Sequence, residues 1–382
     1  MRLLVFTTQF PPAVGGVETM SWQLSKHLQS KGEDISILTQ QIPGAEMFDA
    51  GETLRIKRFQ LDDPVTLIAK GRQKLALIET LRQAVEEWQA DCVLCTGWDP
   101  CAYIASIALP SSSRIPYFLI AHGMELMQLP RGFAARRTKA WMRRKALSSA
   151  KRIIAVSNFT RDRVIDLGVP QERVSVVPNG VAPAETQRNG SGSANGNILT
   201  TVSRLVPRKG QDTVLRAMPH LLEQVPDAIY RIVGTGPELP RLQALAQQLQ
   251  LNGHVEFYGQ VSDSERERLL NECNVFVLAT RETPTDFEGL GIAVLEAMQK
   301  GKPVVVTRAG GVPEIVEHGR TGLVVEPDNP ETLASAMLEL LRDPARACAM
   351  GSNAQMVVRE KYGWDVIAGR YLDELKKSLE VS

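Results

Sequence analysis

Two glutamates bracket a glycine-rich turn in the run Glu288-Gly289-Leu290-Gly291-Ile292-Ala293-Val294-Leu295-Glu296. The stretch before it, Cys273-Asn274-Val275-Phe276-Val277-Leu278-Ala279, reads as a buried strand, and helical spacing of apolar residues follows as far as Lys300. The glycines therefore fall where a strand-end loop becomes a helix. A helix start offers free N–H groups and a positive dipole end, which suit a diphosphate. Gly289 and Gly291 let backbone approach a ligand closely. Glu288 lies in the loop, placed to accept sugar hydroxyls. Glu296, about two turns into the expected helix, leans back toward its start. A diphosphate held between two hydroxyl-binding carboxylates has the shape of a sugar nucleotide. Two ordinary surface glutamates flanking a turn would produce the same local pattern, and the run alone leaves both readings open.

Other clusters add to this one. Ser203-Arg204-Leu205-Val206-Pro207-Arg208-Lys209-Gly210 follows a strand, and Arg204 and Lys209 are expected to converge on one phosphate, the guanidinium bidentately and the lysine as a point charge. A solvated basic loop is the alternative. His122 ends an apolar strand and is freed by Gly123, so its ring can face a sugar hydroxyl or a developing charge, or can be a satisfied structural group. Gly15-Gly16 precedes a helix expected near Val17 and can cradle an anion, although it is not the Gly-x-Gly-x-x-Gly of nicotinamide dinucleotide binding. Gly234-Thr235-Gly236-Pro237 and Gly259-Gln260-Val261 end further strands, where backbone groups can read a nucleobase. From Arg131 to Arg152 there are nine Arg/Lys and no acid, with Trp141, Met142 and Leu147 as apolar anchors. Such a helix suits an anionic membrane surface, or is simply a charged solvated face. No Asp-x-Asp, no metal-ligand spacing and no Gly-x-Ser-x-Gly elbow occurs, so the chemistry must rest on positioning and charge.

These residues need a scaffold that brings strand ends together. At 382 residues the chain is long for one core, and two domains are expected. A net charge of +1 disfavours nucleic-acid binding. The five cysteines lack paired spacing and read as reduced, hence a cytosolic compartment. The N-terminal apolar run is too short for a signal peptide, and no stretch approaches the ~20 apolar residues of a membrane span. Strands expected at 3–7, 35–39, 54–59, 92–95, 117–121, 153–156 and 174–177 alternate with helices at 20–30, 74–89, 133–149 and 160–167. A Gly/Ser/Asn/Ala-rich stretch at 182–196 reads as a linker. Alternation then resumes with strands at 198–202, 229–233, 255–258, 275–278, 304–307 and 323–325. The expectation is an α/β chain of two doubly wound, Rossmann-like domains, 1–181 and 197–363, facing a central cleft, with a final helix at about 364–382 packing back on the first.

In this order, Phe10-Pro11-Pro12 with Gly15-Gly16-Val17-Glu18, His122-Gly123, Ser157-Asn158, Pro178-Asn179-Gly180-Val181, Arg204 with Lys209-Gly210, Gly234-Thr235-Gly236-Pro237 and Glu288 through Glu296 resemble the retaining, metal-independent glycosyltransferases of the GT-B fold numbered family 4, over the whole chain. The resemblance implies that Arg204 and Lys209 hold the donor diphosphate with Gly16 nearby. Glu288 contacts the donor sugar, and the amides of Gly289, Leu290 and Gly291 support sugar and phosphate. It further places Glu296 on the ribose, Val261 where backbone meets the base, and His122 at the sugar's reacting face. It implies front-side attack with the leaving phosphate as base, and no cofactor or metal. Phe287-Glu288-Gly289-Leu290-Gly291 and His122-Gly123-Met124-Glu125 look most like the phosphatidylinositol-mannoside mannosyltransferases, which implies GDP-mannose and a lipid-linked or glycan acceptor at the inner membrane face. The stretch Glu282-Thr283-Pro284-Thr285-Asp286 departs from the common pattern. The alternatives are a UDP-sugar transferase acting on a soluble acceptor, or a non-catalytic sugar-nucleotide-binding protein.

Overall fold

The computed structural model describes residues 1–61, 67–110, 113–183, 196–283 and 285–380, without the side chains of 67–70. Most of the expected linker, 184–195, therefore lies outside the described residues. The chain divides into two compact units, Met1–Gly180 with Trp364–Ser382, and Val181–Gly363.

The first unit runs β1 (Arg2–Phe6), α1 (Gly16–Ser30), β2 (Asp34–Gln40), α2 (Ala45–Ala50), β3 (Arg55–Phe59), α3 (Leu67–Glu87), β4 (Cys92–Cys95), α4 (Tyr103–Ala108), β5 (Tyr117–Ala121), α5 (Met124–Met127), α6 (Phe133–Ser149), β6 (Arg152–Ala155), α7 (Asn158–Asp166) and β7 (Val174–Val176). Its seven strands are all parallel, in the order β3-β2-β1-β4-β5-β6-β7. Central strands need apolar residues on both faces because helices cover both. Every residue of β4 and β5 is accordingly buried. All five cysteines are free, and burial pushes the Cys92 thiol up to about 12.

The second unit runs β8 (Ile198–Val202), α8 (Gln211–Leu222), β9 (Ile229–Val233), α9 (Leu239–Gln248), β10 (Val255–Gly259), α10 (Asp263–Glu272), β11 (Val275–Leu278), α11 (Ile292–Gln299), β12 (Val304–Thr307), β13 (Gly322–Val325), α12 (Pro330–Arg342) and α13 (Pro344–Lys361). Its six strands are again parallel, ordered β10-β9-β8-β11-β12-β13. The last helix, α14 (Trp364–Glu380), belongs to the first unit. It buries Ile367, Tyr371 and Leu375 at helical spacing, and Lys376 Nζ lies 2.8 Å from a Glu33 carboxylate oxygen. Gly180 admits Trp364, since a Cβ there would sit 2.4 Å from the indole.

In each sheet the strand order reverses once, between β1 and β4 and between β8 and β11. Loops leaving the carboxyl ends of such neighbours diverge and open a binding place. The Gly15-Gly16 loop follows β1, the Arg204–Lys209 loop follows β8, and the Glu288 loop follows β11. The short helices α2 and α5, and a π-turn at Trp98–Ala102 running into α4, depart from the sequence expectation, which has none of them.

Candidate functional site

In the second unit, the loops after β8 and β11 meet. Lys209 Nζ lies 2.6 Å from Glu288 Oε2. Arg208 reaches the same carboxylate, with Nε at 3.7 Å, and Asp286 with a terminal nitrogen at 3.6 Å. Backbone bonds hold the loops in this register. Arg281 N–H donates to the Arg208 carbonyl at 2.9 Å, and Gly311 N–H donates to the Glu288 carbonyl at 2.9 Å. The Glu288 side chain is only 15% exposed. Burial by itself would raise its pKa, but the Lys209 ammonium, the Arg208 guanidinium and the Gly291 amide hold it below the ordinary range. Glu288 is thus an ionised carboxylate, already engaged by protein cations.

Within the protein the two expected phosphate ligands have different surroundings. Arg204 and Lys209 do not share one partner. Arg204 is exposed and its guanidinium makes no ion pair among the described residues, while Lys209 is buried against Glu288. Arg208, beside Lys209 in sequence and outside the expected set, also faces Glu288. The signal for it was present as an adjacent basic pair, but the direction of each side chain was not.

Glu296 lies one turn into α11 rather than two, because the helix starts at Ile292. Its carboxylate is 3.2 Å from an Arg266 nitrogen on α10. Burial dominates its titration and holds the pKa above the ordinary value despite that guanidinium. Gly291 caps α11 with φ +92°, and Leu290 before it is buried. Gly289 is half-buried between Glu288 and Leu290. Gly234 follows β9 with φ +131°, and a Cβ there would lie 2.0 Å from the Ser203 carbonyl, so the glycine lets two strand-end loops touch. Val261 is half-buried just beyond β10.

The loop after β11 is fastened to α8 by Asp212. Its carboxylate, 6% exposed, lies 2.7 Å from Arg281, 2.9 Å from Arg241 and 3.0 Å from Arg216. Burial alone would raise the Asp212 pKa, but Arg216, Arg281 and Arg241 outweigh it and lower it. A folded pKa below the unfolded value of about 3.9 means that the stabilisation is present above about pH 4 and is lost as pH falls through the folded value. Asp212→Asn should therefore cost about 2 kcal/mol at pH 7. Urea melts should show the gap to wild type closing below pH 4; a gap independent of pH would contradict the assignment.

In the first unit, the His122 ring is not free. Its Nε2–H donates to the Thr96 carbonyl at 2.9 Å, since a carbonyl only accepts. Its backbone N–H donates to Glu125 at 2.8 Å. Thr96 in turn donates its hydroxyl to Thr7 at 2.6 Å, so the ends of β1, β4 and β5 are tied together. In the neutral ring this leaves Nδ1 as the acceptor. The sequence expectation missed Thr96 and Glu125 because both contacts depend on sheet order. α1 starts at Gly16, one residue before the expected Val17. The Glu18 side chain folds against Gly15, where a Cβ would be 2.2 Å from its carboxylate oxygen, so a carboxylate already faces this helix start.

α6 differs from the expected row of anchors. Met142 and Leu147 are buried in the core of the first unit. Arg143 is turned inward to donate to the Leu126 carbonyl, and Lys139 pairs with Asp99. The outer face carries Arg136, Arg137 and Arg144 with Phe133 and Trp141, the aromatics 77% and 59% exposed. No helix among the described residues is long and apolar enough to cross a membrane. Nor, among those residues, are three or more His, Cys, Asp or Glu side chains grouped to hold a metal ion.

Comparison with known proteins bears on the family and the fold. Residues 14–185 match the model of Glycosyltransferase Family 4, and residues 183–357 that of Glycosyl transferases group 1. The chain is 31% identical to the GDP-mannose-dependent alpha-(1-6)-phosphatidylinositol monomannoside mannosyltransferase of Mycobacterium tuberculosis, over 98% of each chain. It is 30% identical to the protein of the same description from Mycolicibacterium smegmatis, again over 98% of each. In fold it resembles the Anabaena protein HepE in complex with UDP, with a TM-score of 0.79 at 22% identity, covering 99% of this chain and 100% of that one. The sucrose-phosphate synthase of Thermosynechococcus elongatus gives 0.78 at 20% identity, covering 100% of both. Two parallel Rossmann-like sheets and full-length similarity of this degree make the chain a family 4 glycosyltransferase of the GT-B fold.

Proposed function

We propose that this chain transfers mannose from GDP-mannose to a lipid-linked or glycan acceptor, with retention of anomeric configuration and without a metal. The observation that carries the reading is the Lys209–Glu288 contact between the loops after β8 and β11, flanked by Arg208, in a chain so similar to GDP-mannose-dependent enzymes. In this reading Lys209, Arg204 and the first turn of α11 stabilise the departing diphosphate, a role that oriented charges can fill. Glu288 orients the sugar, Glu296 holds the ribose, and His122 offers Nδ1 to the sugar's reacting face. Gly16, Gly234, Val261, Gly289, Leu290 and Gly291 line the donor with backbone. Thermal shifts with GDP, UDP, ADP and their sugars test the donor: GDP-mannose should stabilise the protein and UDP-glucose should not. A shift with the UDP pair alone would overturn the choice of base and sugar. Turnover should persist in EDTA; loss that magnesium restores would contradict metal independence.

The acceptor side of the reading rests on the outer face of α6. Basic side chains near an anionic surface contribute about 1 kcal/mol each, and exposed aromatics seat at the interface. The protein should co-sediment with anionic but not neutral vesicles, and Arg136→Glu, Arg137→Glu and Arg144→Glu together should release it. Arg143 is left intact because it holds the fold. Binding should weaken with salt, which screens exposed charge over ~8–10 Å at physiological ionic strength. Indifference to lipid charge at low salt would leave α6 a solvated helix and favour a soluble acceptor.

A further inference from the structure

Where the loops after β8 and β11 meet, three buried charged atoms make no hydrogen bond among the described residues: Arg208 Nε, Asp286 Oδ1 and Glu288 Oε2; Arg266 Nε and Arg281 Nε, elsewhere in the unit, share that state. Glu288 Oε2 is ion-paired with the Lys209 ammonium at 2.6 Å, so what it leaves unmet is its second approach, from Arg208. Arg208 stands 3.6 Å from Asp286 and 3.7 Å from Glu288, too far for hydrogen bonds. Charged atoms shut off from water normally complete their hydrogen bonds, because leaving them incomplete is costly; the Asp286 side chain as a whole stays 36% exposed, so its burial is confined to Oδ1. This cluster is held apart by its backbone. Thr283 N–H donates to the Asp286 carbonyl at 2.8 Å, and Asp286 N–H donates to the Thr283 hydroxyl at 3.0 Å. Phe287 between the two acids is 1% exposed, and alternate residues of an extended segment share a side, so Asp286 and Glu288 turn toward one guanidinium.

The chemistry of the cluster selects its ligand. A hydroxyl both accepts from a guanidinium N–H and donates to a carboxylate, so one hydroxyl oxygen can bridge each of these gaps. A phosphate oxygen only accepts and would be repelled by Asp286 and Glu288. Arg208, Lys209, Asp286 and Glu288 together carry no net charge, which suits an uncharged polyol. We propose that Arg208 and Asp286, with Glu288, form a subsite that reads the hydroxyls of the donor's hexose, leaving the diphosphate to Lys209, Arg204 and the start of α11. This rests on the donor reading proposed above and assigns specificity-determining roles to two further residues. The departure from the common family pattern, Glu282 to Asp286, is then the segment that supplies the second carboxylate.

Calorimetric titration of the full chain with bare nucleoside diphosphate and with the matching nucleotide-sugar tests it, using GDP with GDP-mannose and UDP with UDP-glucose. For Asp286→Asn and for Arg208→Gln, affinity for the nucleotide-sugar should fall about tenfold relative to wild type, because a site built to hydrogen-bond a hydroxyl is sensitive to losing one partner. Affinity for the bare diphosphate should change less than about twofold. Arg208→Lys should not restore sugar binding, since a point charge cannot span both gaps. The two substitutions are independent, so if one fails to fold, the other carries the test. Equal losses for both ligands would overturn the proposal by giving Arg208 to the diphosphate. No loss for either ligand would overturn it by making the cluster structural. A wild-type protein that binds none of the four ligands would instead overturn the donor reading itself.

Discussion

Lys209→Ala is expected to lower donor transfer by roughly ten- to a hundredfold, equivalent to about 1.5–3 kcal/mol of lost stabilisation of the leaving diphosphate. The substitution acts twice. It deletes an ammonium at the start of the donor site, and it strips Glu288 of the cation that most lowers its pKa. A buried carboxylate left without its partner is destabilised, and its proton affinity rises. Activity of the variant should therefore shift its acid limb to higher pH, because Glu288 will protonate at a pH where the wild type is ionised. The second effect separates from the first in a cycle with Glu288→Gln. If the two residues act as a unit, the double variant should lose little more than the worse single one. Near-normal turnover by Lys209→Ala with the donor that binds would sink the site assignment. Additive losses would show that the 2.6 Å contact is not retained in the catalytic state.

Much of the fold was legible because parallel strands covered on both faces are nearly unbroken apolar runs. β5, β8, β9, β11 and β12 fall on the residues that their composition marks. α2 was not legible, since its six residues are too few to display a helical period. The wrong face of α6 could have been avoided. Met142 and Ala146 are one turn apart and both buried, whereas Arg137, Trp141 and Arg144 recur on the opposite side. At the site, sequence order gave the loops but not the partners. The His122–Thr96 bond depends on β4 lying beside β5, and the approach of Arg208 to Glu288 goes with the Arg281 amide bonding the Arg208 carbonyl. Neither contact has a local signature. Loop residues are chosen by the scaffold that presents them, and here that scaffold is the reversal of strand order.

The largest stability effect is expected at Gly210, which links Lys209 to the first residue of α8. Gly210 has φ +67°, and a Cβ added there would lie 1.7 Å from the Ala279 carbonyl oxygen. The obstacle is backbone at the end of β11, not the end of a movable side chain. Gly210→Ala therefore has to displace either the Lys209 loop or the strand end that leads to Glu288. Left-handed backbone alone costs a non-glycine residue roughly 1–2 kcal/mol, and the backbone clash should bring the total above about 3 kcal/mol. Gly253 supplies the comparison. It has φ +83°, but nothing lies within 4 Å of its added Cβ, so Gly253→Ala carries the strain without the clash. Chemical denaturation should place Gly253→Ala about 1 kcal/mol below wild type and Gly210→Ala several times lower, or without a cooperative transition. Donor binding should follow the same order, because only Gly210→Ala separates Lys209 from Glu288. Equal destabilisation by the two substitutions would mean that the loops after β8 and β11 can part without cost, and would overturn the view that this junction holds Lys209 against Glu288.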